Sequence, residues 1–281
     1  MAQNICVATG AGSGMGLAAV KLIGKEQKVI IAGRTVAKLE GALKELEELG
    51  IEAEAYPCDT SDRAAVDGLA AYAASQGNVK TVVHAAGVSP HMTDGETIFR
   101  INALGTINVD EAFGEVMGEG GVILNVASMS AYMLPDAQKL HPLYMQALTS
   151  PEALFAGFKQ VLAATPQEQQ AGAGYTISKN FVVFYTEQMA LKLGPKGIRV
   201  VSISPGTIAT PMGKIEGEEA ASFAEAGPLG RVGQPEEIAQ MMAFMVSDGA
   251  SYLTGTDILY DGGSVAAVKA KAAKAAMEGK E

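Results

Sequence analysis

The feature that most constrains this chain is a rhythm. Short apolar runs (NICVA, KVIIA, IEAEAY, VKTVVHA, GVILNVA, IRVVSIS and TDILY) alternate with longer stretches of helical period at 14–24, 36–49, 61–75, 97–117, 175–193 and 235–247. Several runs are rich in Val and Ile and apolar on both pleat faces, the pattern of strands buried on both sides. Strand and helix in alternation predict an α/β doubly wound parallel sheet. Crossovers should be right-handed, with sites at the carboxyl ends of the strands. No linker or internal repeat divides the 281 residues, so one domain is expected over 1–263, followed by a tail, 264–281.

Two regions break the rhythm. Residues 131–172 form a long polar-apolar mixture within which SPEALFAGFKQVLAA reads as a helix, Ser150 its N-cap and Pro151 in its first turn. A stretch of this length inside a compact domain carries structure or function of its own. The tail has high helix propensity but little apolar surface, so fraying is expected there.

The first strand runs into TGAGSGMG, which opens the first helix, with Gly10, Gly14 and Gly16 in T-G-x-x-x-G-x-G spacing. Glycine there permits the tight turn, the approach of a pyrophosphate and close helix–strand packing, and the helix start offers free N–H groups to the anion. The reading is dinucleotide binding. The second strand ends VIIAGRT, with Gly33 where a ribose-binding acid commonly stands and Arg34 after it. Arg34 is either a plain surface cation or a partner for a 2′-phosphate. The combination predicts a preference for NADP(H), with NAD(H) also possible. In CDTSD, Asp59 reads either as an adenine contact or as part of a helix cap.

Composition narrows the partners. A net charge of −10 argues against nucleic acid and anionic membranes. No apolar run approaches the ~20 residues a membrane span needs, and the N-terminus lacks the pattern of a secretory signal. Two cysteines make no disulfide framework, and with three histidines they show no metal-ligand spacing. A cytoplasmic protein without a metal is expected.

YTISK then sets Tyr175 and Lys179 four positions apart, on one face of a helix. A free tyrosine has a pKa near 10, and a nearby ammonium favours tyrosinate. The pair reads either as a solvated helix face or as a proton-transfer device.

With YTISK, the glycine turn, SPGTIATPM (204–212), GRVGQPEEIA (230–239) and SYLTGTDILYDGG (251–263), the chain resembles the short-chain dehydrogenase/reductase family from about residue 3 to residue 263. The resemblance implies a Rossmann-like fold and an NAD(P)-dependent interconversion of a secondary alcohol and a ketone. It implies Tyr175 as general acid/base, Lys179 as holder of the nicotinamide ribose, Ser128 as the substrate-oxygen ligand and Asn102 as part of a water-linked proton relay. Ser130 competes with Ser128, and Asn102 reads equally as a residue that caps or bends its helix. The resemblance further sets Gly10, Ser13, Gly14, Met15, Gly16, Arg34, Thr35, Asp59, Ala86, Gly87, Tyr175, Lys179, Pro205, Gly206, Ile208 and Thr210 against the cofactor. Thr210 is otherwise a turn residue before Pro211.

Three departures stand out. HAAG replaces the family's Asn-Asn-Ala-Gly, so His84 reads as a structural residue. The segment between Gly87 and Asn102 is short, leaving little room for the usual loop and helix. Ser128 and Tyr175 are 47 positions apart, far more than usual. Together the last two resemble the bacterial 3α-hydroxysteroid dehydrogenase/carbonyl reductases. That likeness implies a homo-oligomer, a dimer through the C-terminal face rather than the common tetramer. Apolar residues in the insertion and in an expected lid, 207–228, suit a small hydrophobic alcohol or ketone, a hydroxysteroid or bile acid first. Smaller ketones, quinones and 3-oxoacyl groups are the alternatives, and a non-catalytic cofactor-binding protein the remaining one.

Overall fold

The computed structural model describes residues 3–278. In chain order the main elements are β1 (Asn4–Thr9), α1 (Gly14–Ile23), β2 (Lys28–Gly33), α2 (Val36–Glu48), β3 (Ala53–Pro57), α3 (Arg63–Gln76), β4 (Asn78–His84), α4 (Gly95–Phe99), α5 (Gly105–Val116) and β5 (Val122–Val126). They continue with α6 (His141–Tyr144), α7 (Pro151–Ala163), α8 (Gln170–Leu193), β6 (Arg199–Pro205), α9 (Pro211–Ala226), α10 (Pro235–Val246), β7 (Thr256–Tyr260) and α11 (Ser264–Glu278).

The seven strands form one sheet in the order β3-β2-β1-β4-β5-β6-β7, and every neighbouring pair is parallel. The expected α/β doubly wound sheet is what the chain forms. Because the side-chain period along a strand is two, alternate residues feed two separate cores. Ile5, Val7, Val82, Ile123 and Val200 pack with α3, α5 and α8. Cys6, Ala8, Val29, Val83, Leu124 and Val201 pack with α1, α2 and α10. After β3 the chain crosses back to lay β4 against the free side of β1. The turns that leave β1 and β4 therefore diverge and open a crevice at the carboxyl end of the sheet.

Several expectations need correction. The helix read over 97–117 is interrupted: one turn at Gly95–Phe99 leads into a π-helical stretch, Arg100–Leu104, before α5. The short segment before Asn102 thus still holds a helical turn. The third strand starts at Ala53 rather than at Ile51, and the YTISK helix begins five residues early, at Gln170. Residues 129–169 are mostly helical, and Ser150 caps α7 by accepting from Ala153 N–H at 3.1 Å. The tail forms α11 through Glu278: Asp261 caps its start by accepting from Val265 N–H at 2.7 Å and Val265 is buried, while residues 268–277 are exposed.

Candidate active site

Gly10 opens the turn after β1 at φ 69°, in the left-handed region that favours glycine. A Cβ there would lie 2.6 Å from Ala85 O and Ala86 N, so the turn presses directly on the backbone leaving β4. Together they line a cleft of about 240 Å³. Of the residues expected at the cofactor, Gly10, Ser13, Gly14, Met15, Gly16, Arg34, Thr35, Asp59, Ala86, Gly87 and Thr210 all line it. Lys38, in the first turn of α2, lines it too; sequence reasoning missed it. Arg34 stands 3.9 Å from the Asp59 carboxylate. The other Asp59 oxygen accepts from Ser61 N–H at 3.0 Å and from its hydroxyl at 2.8 Å, and Asp62 caps α3. Asp59 is thus both a turn residue and a wall of the cleft. A narrow glycine-walled groove with two cations at one end suits the phosphates of a dinucleotide.

A second cavity, about 460 Å³, adjoins the cleft, sharing Met15, Thr210 and Met212 with it. Ser128 and Tyr175 line this cavity, and so do Pro205, Gly206 and Ile208, which were expected at the cofactor. Those three therefore stand on the second cavity, which meets the cleft at Met15, Thr210 and Met212. His91, Met133, Glu168 and Phe223 line it as well. They come from separate loops and helices, so no local spacing could have joined them.

Ser128 follows β5 by two residues, in extended backbone, and its hydroxyl oxygen accepts from Ser130 N–H at 3.2 Å. That leaves the Ser128 hydroxyl hydrogen to donate elsewhere. The competing Ser130 also lines the cavity, but its hydroxyl oxygen is buried, without a hydrogen-bond partner among the described residues.

Lys179 is not a solvated lysine. Only 6% exposed, it donates to Val126 O at 2.8 Å, at the end of β5. A Cβ on Gly87 would lie 3.4 Å from its ammonium and 3.1 Å from the side-chain oxygen of Asn102, so Gly87 keeps this corner open. Asn102 sits in the π-helical stretch and is buried. Its Oδ1 accepts from Val88 N–H at 2.9 Å, and its Nδ2 donates to Val88 O at 3.1 Å and to Ser178 Oγ at 3.3 Å. Ser178 in turn donates to Tyr175 O at 2.8 Å. Asn102 thereby ties the loop after β4 to the helix that carries Tyr175 and Lys179. Neither Asn102 nor Lys179 lines the two cavities; both stand behind the walls.

His84, where HAAG departs from the family, is 2% exposed and bonded through Nδ1 to Thr9 Oγ1 at 2.7 Å. Thr9 Oγ1 also accepts from Ala86 N–H at 3.3 Å, which ties the end of β1 to the HAAG turn. Burial, and then the Lys179 ammonium, hold the imidazole down at about 3, so His84 is neutral at working pH. Thr210, which precedes Pro211, caps α9 by accepting from Gly213 N–H at 3.1 Å. Residues 211–226 of the expected lid are this helix, broken at Gly217, whose φ is 68°. Among the described residues no three metal-ligating side chains converge, and no helix is long and apolar enough to cross a membrane.

Comparison with known proteins agrees with this layout. A family model described as short chain dehydrogenase matches residues 4–139, and one described as enoyl-(acyl carrier protein) reductase matches residues 160–265. The short-chain dehydrogenase/reductase bsc3 of Alternaria brassicicola is 31% identical over 95% of this chain and 97% of its own. A 3-alpha-(or 20-beta)-hydroxysteroid dehydrogenase of Mycobacterium bovis is 34% identical, but over only 55% of this chain and 63% of its own. Among solved structures, an actinorhodin polyketide ketoreductase variant with NADPH superposes with a TM-score of 0.72 at 25% identity, covering 94% of this chain and 97% of that one.

Proposed function

The chain belongs to the short-chain dehydrogenase family of NAD(P)-dependent oxidoreductases, and from that premise we propose that it interconverts a secondary alcohol and a ketone on an apolar small molecule, a hydroxysteroid first, with NADP(H) preferred. The observation that carries this reading is the meeting of Tyr175 and Ser128 on one cavity wall, with the buried Lys179 one helical turn behind the tyrosine. When bound, the nicotinamide supplies hydride to the carbonyl carbon or takes it back.

In the direction of reduction, the Tyr175 hydroxyl donates its proton to the carbonyl oxygen. The Ser128 hydroxyl donates a hydrogen bond to the same oxygen as charge builds there. The Lys179 ammonium stabilises the charge left on the phenolic oxygen, and the Lys179–Asn102 corner is the route for proton return. The glycine turn holds the pyrophosphate at the start of α1, while Arg34 and Lys38 meet the 2′-phosphate. Apolar lining from Met129, Met133, Met212 and Phe223 suits a bulky hydrophobic substrate. The matched stretch of the hydroxysteroid dehydrogenase is a second, partial support.

The enzyme works in the cytoplasm as a dimer. α6 and α7 lie over α8, with Tyr144 buried against Phe181 and bonded to Ile177 O, which closes that side to a second copy. Across the molecule β7 is half-buried along its length, and Phe244 and Tyr252 are exposed.

A cofactor-oxidation screen against neutral steroid ketones, bile acids, simple ketones, quinones and 3-oxoacyl thioesters tests the assignment. Turnover of steroid ketones supports it. Turnover confined to thioesters or quinones overturns the substrate class, and no turnover at all overturns the catalytic reading.

A further inference from the structure

The two cavities differ in charge. Arg34 and Lys38 both line the dinucleotide cleft. Among the described residues no Lys or Arg lines the substrate cavity, where the ionisable groups besides Tyr175 are an imidazole, His91, and a carboxylate, Glu168. Lys179 is not part of this lining: its buried ammonium donates to Val126 O at 2.8 Å and serves the reacting end, at Tyr175, rather than the far end of a substrate. Glu168 is exposed, in the short turn Gln167–Gln169 that leads into α8, so its charge stands at the rim. The rest of the lining is uncharged, with the apolar side chains of Met129, Met133, Met212 and Phe223 set among glycine, alanine, proline, serine and threonine.

We propose that this cavity selects alcohols and ketones whose far end is uncharged or cationic, and rejects those that carry a carboxylate there. The inference rests on the assignment of this cavity to the reacting carbonyl. A carboxylate entering it sheds water and meets no cation in return, a cost that apolar lining cannot offset. Glu168 repels it at the rim, and the net charge of −10 opposes its approach. A neutral end meets none of these costs, and an ammonium is drawn to Glu168. Within the steroid class, neutral ketones are therefore substrates and bile acids, which end in a carboxylate, are poor ones.

The test is kcat/KM with NADPH at pH 8 and low ionic strength, where screening is weak. One ketosteroid nucleus is used with three side-chain ends: carboxylate, methyl amide and aminoethyl amide. The same three ends on an aryl methyl ketone make a second series. The carboxylate is expected about tenfold or more below the amide, the ammonium at or above it, and the gap should narrow in 0.5 M salt. Glu168→Gln and Glu168→Lys should raise the carboxylate-to-amide ratio, the second by more. A carboxylate within twofold of the amide, or a gap indifferent to both variants, overturns the charge rule while leaving the catalytic reading intact. If neither series is turned over, both fall together.

Discussion

At the scale of single residues, the chain concentrates its cations where an anion must sit. Arg34 and Lys38 line one end of the dinucleotide cleft in a protein of net charge −10, and charged hydrogen bonds contribute roughly 1.5–3 kcal/mol each. The Arg34→Ala/Lys38→Ala variant should therefore raise KM for NADPH about tenfold or more and leave KM for NADH much less changed. Parallel loss with both cofactors would contradict the assignment. Arg34 was legible because it directly follows the strand end. Lys38 was not, because only the path of α2 turns it toward the cleft.

A second residue prediction concerns Asp110, fully buried between β5 and α8. It accepts from Asn125 Nδ2 at 2.9 Å, and its other oxygen has no partner among the described residues. Burial, with Glu111 adding to it, raises its carboxyl to about 7. Since an unfolded aspartate titrates near 3.9, Asp110 contributes stability below about pH 4 and loses it as pH rises through 7. His84 works oppositely, its contribution present above about 6.5 and lost as pH falls toward 3. Asp110→Asn should therefore gain Tm relative to the parent between pH 4 and 7, the difference levelling off above 8. A difference constant with pH would contradict the buried-acid account.

At the scale of elements, the site depends on how closely two helices cross. A Cβ at Gly174 would lie 2.6 Å from Gly95 O, so α8 passes directly over α4, one residue before Tyr175. Gly174→Ala forces the helices apart. An overpacked contact of this kind costs about 1–3 kcal/mol, read as a lower denaturation midpoint, and kcat should fall with it because Tyr175 moves away from Ser128. Unchanged stability and unchanged kcat would show the crossing to be slack. The strands and most helices were legible in periodicity alone, as were the i, i+4 pair on α8 and the N-cap at Ser150. The π-helical stretch around Asn102 and the early start of α8 were not. Both follow from α4, α7 and α8 packing together, contacts between residues far apart in sequence that local pattern does not encode.

At the scale of the molecule, the strand order makes the site. Because β4 returns beside β1, the glycine turn and the HAAG turn face each other across a crevice, and β5 with α8 brings Ser128 and Tyr175 to its edge. Motif order along the chain was enough to foresee this, since parallel strands deliver their carboxyl ends to one side. The charge of the substrate cavity was not foreseeable: Glu168 and His91 reach it from segments 77 positions apart. Oligomeric state also belongs to this scale. Light scattering should report a dimer, because α6 and α7 occupy the outer side of α8; a stable tetramer would contradict that.

The central claim is that the phenol on α8 moves the proton. Its most direct test is NADPH oxidation by Tyr175→Phe on a ketone the parent enzyme reduces, with NADPH affinity measured alongside. The account predicts kcat reduced about 10²–10⁴-fold with the dinucleotide still bound. A variant that binds NADPH and turns the ketone over at the parental rate would contradict it.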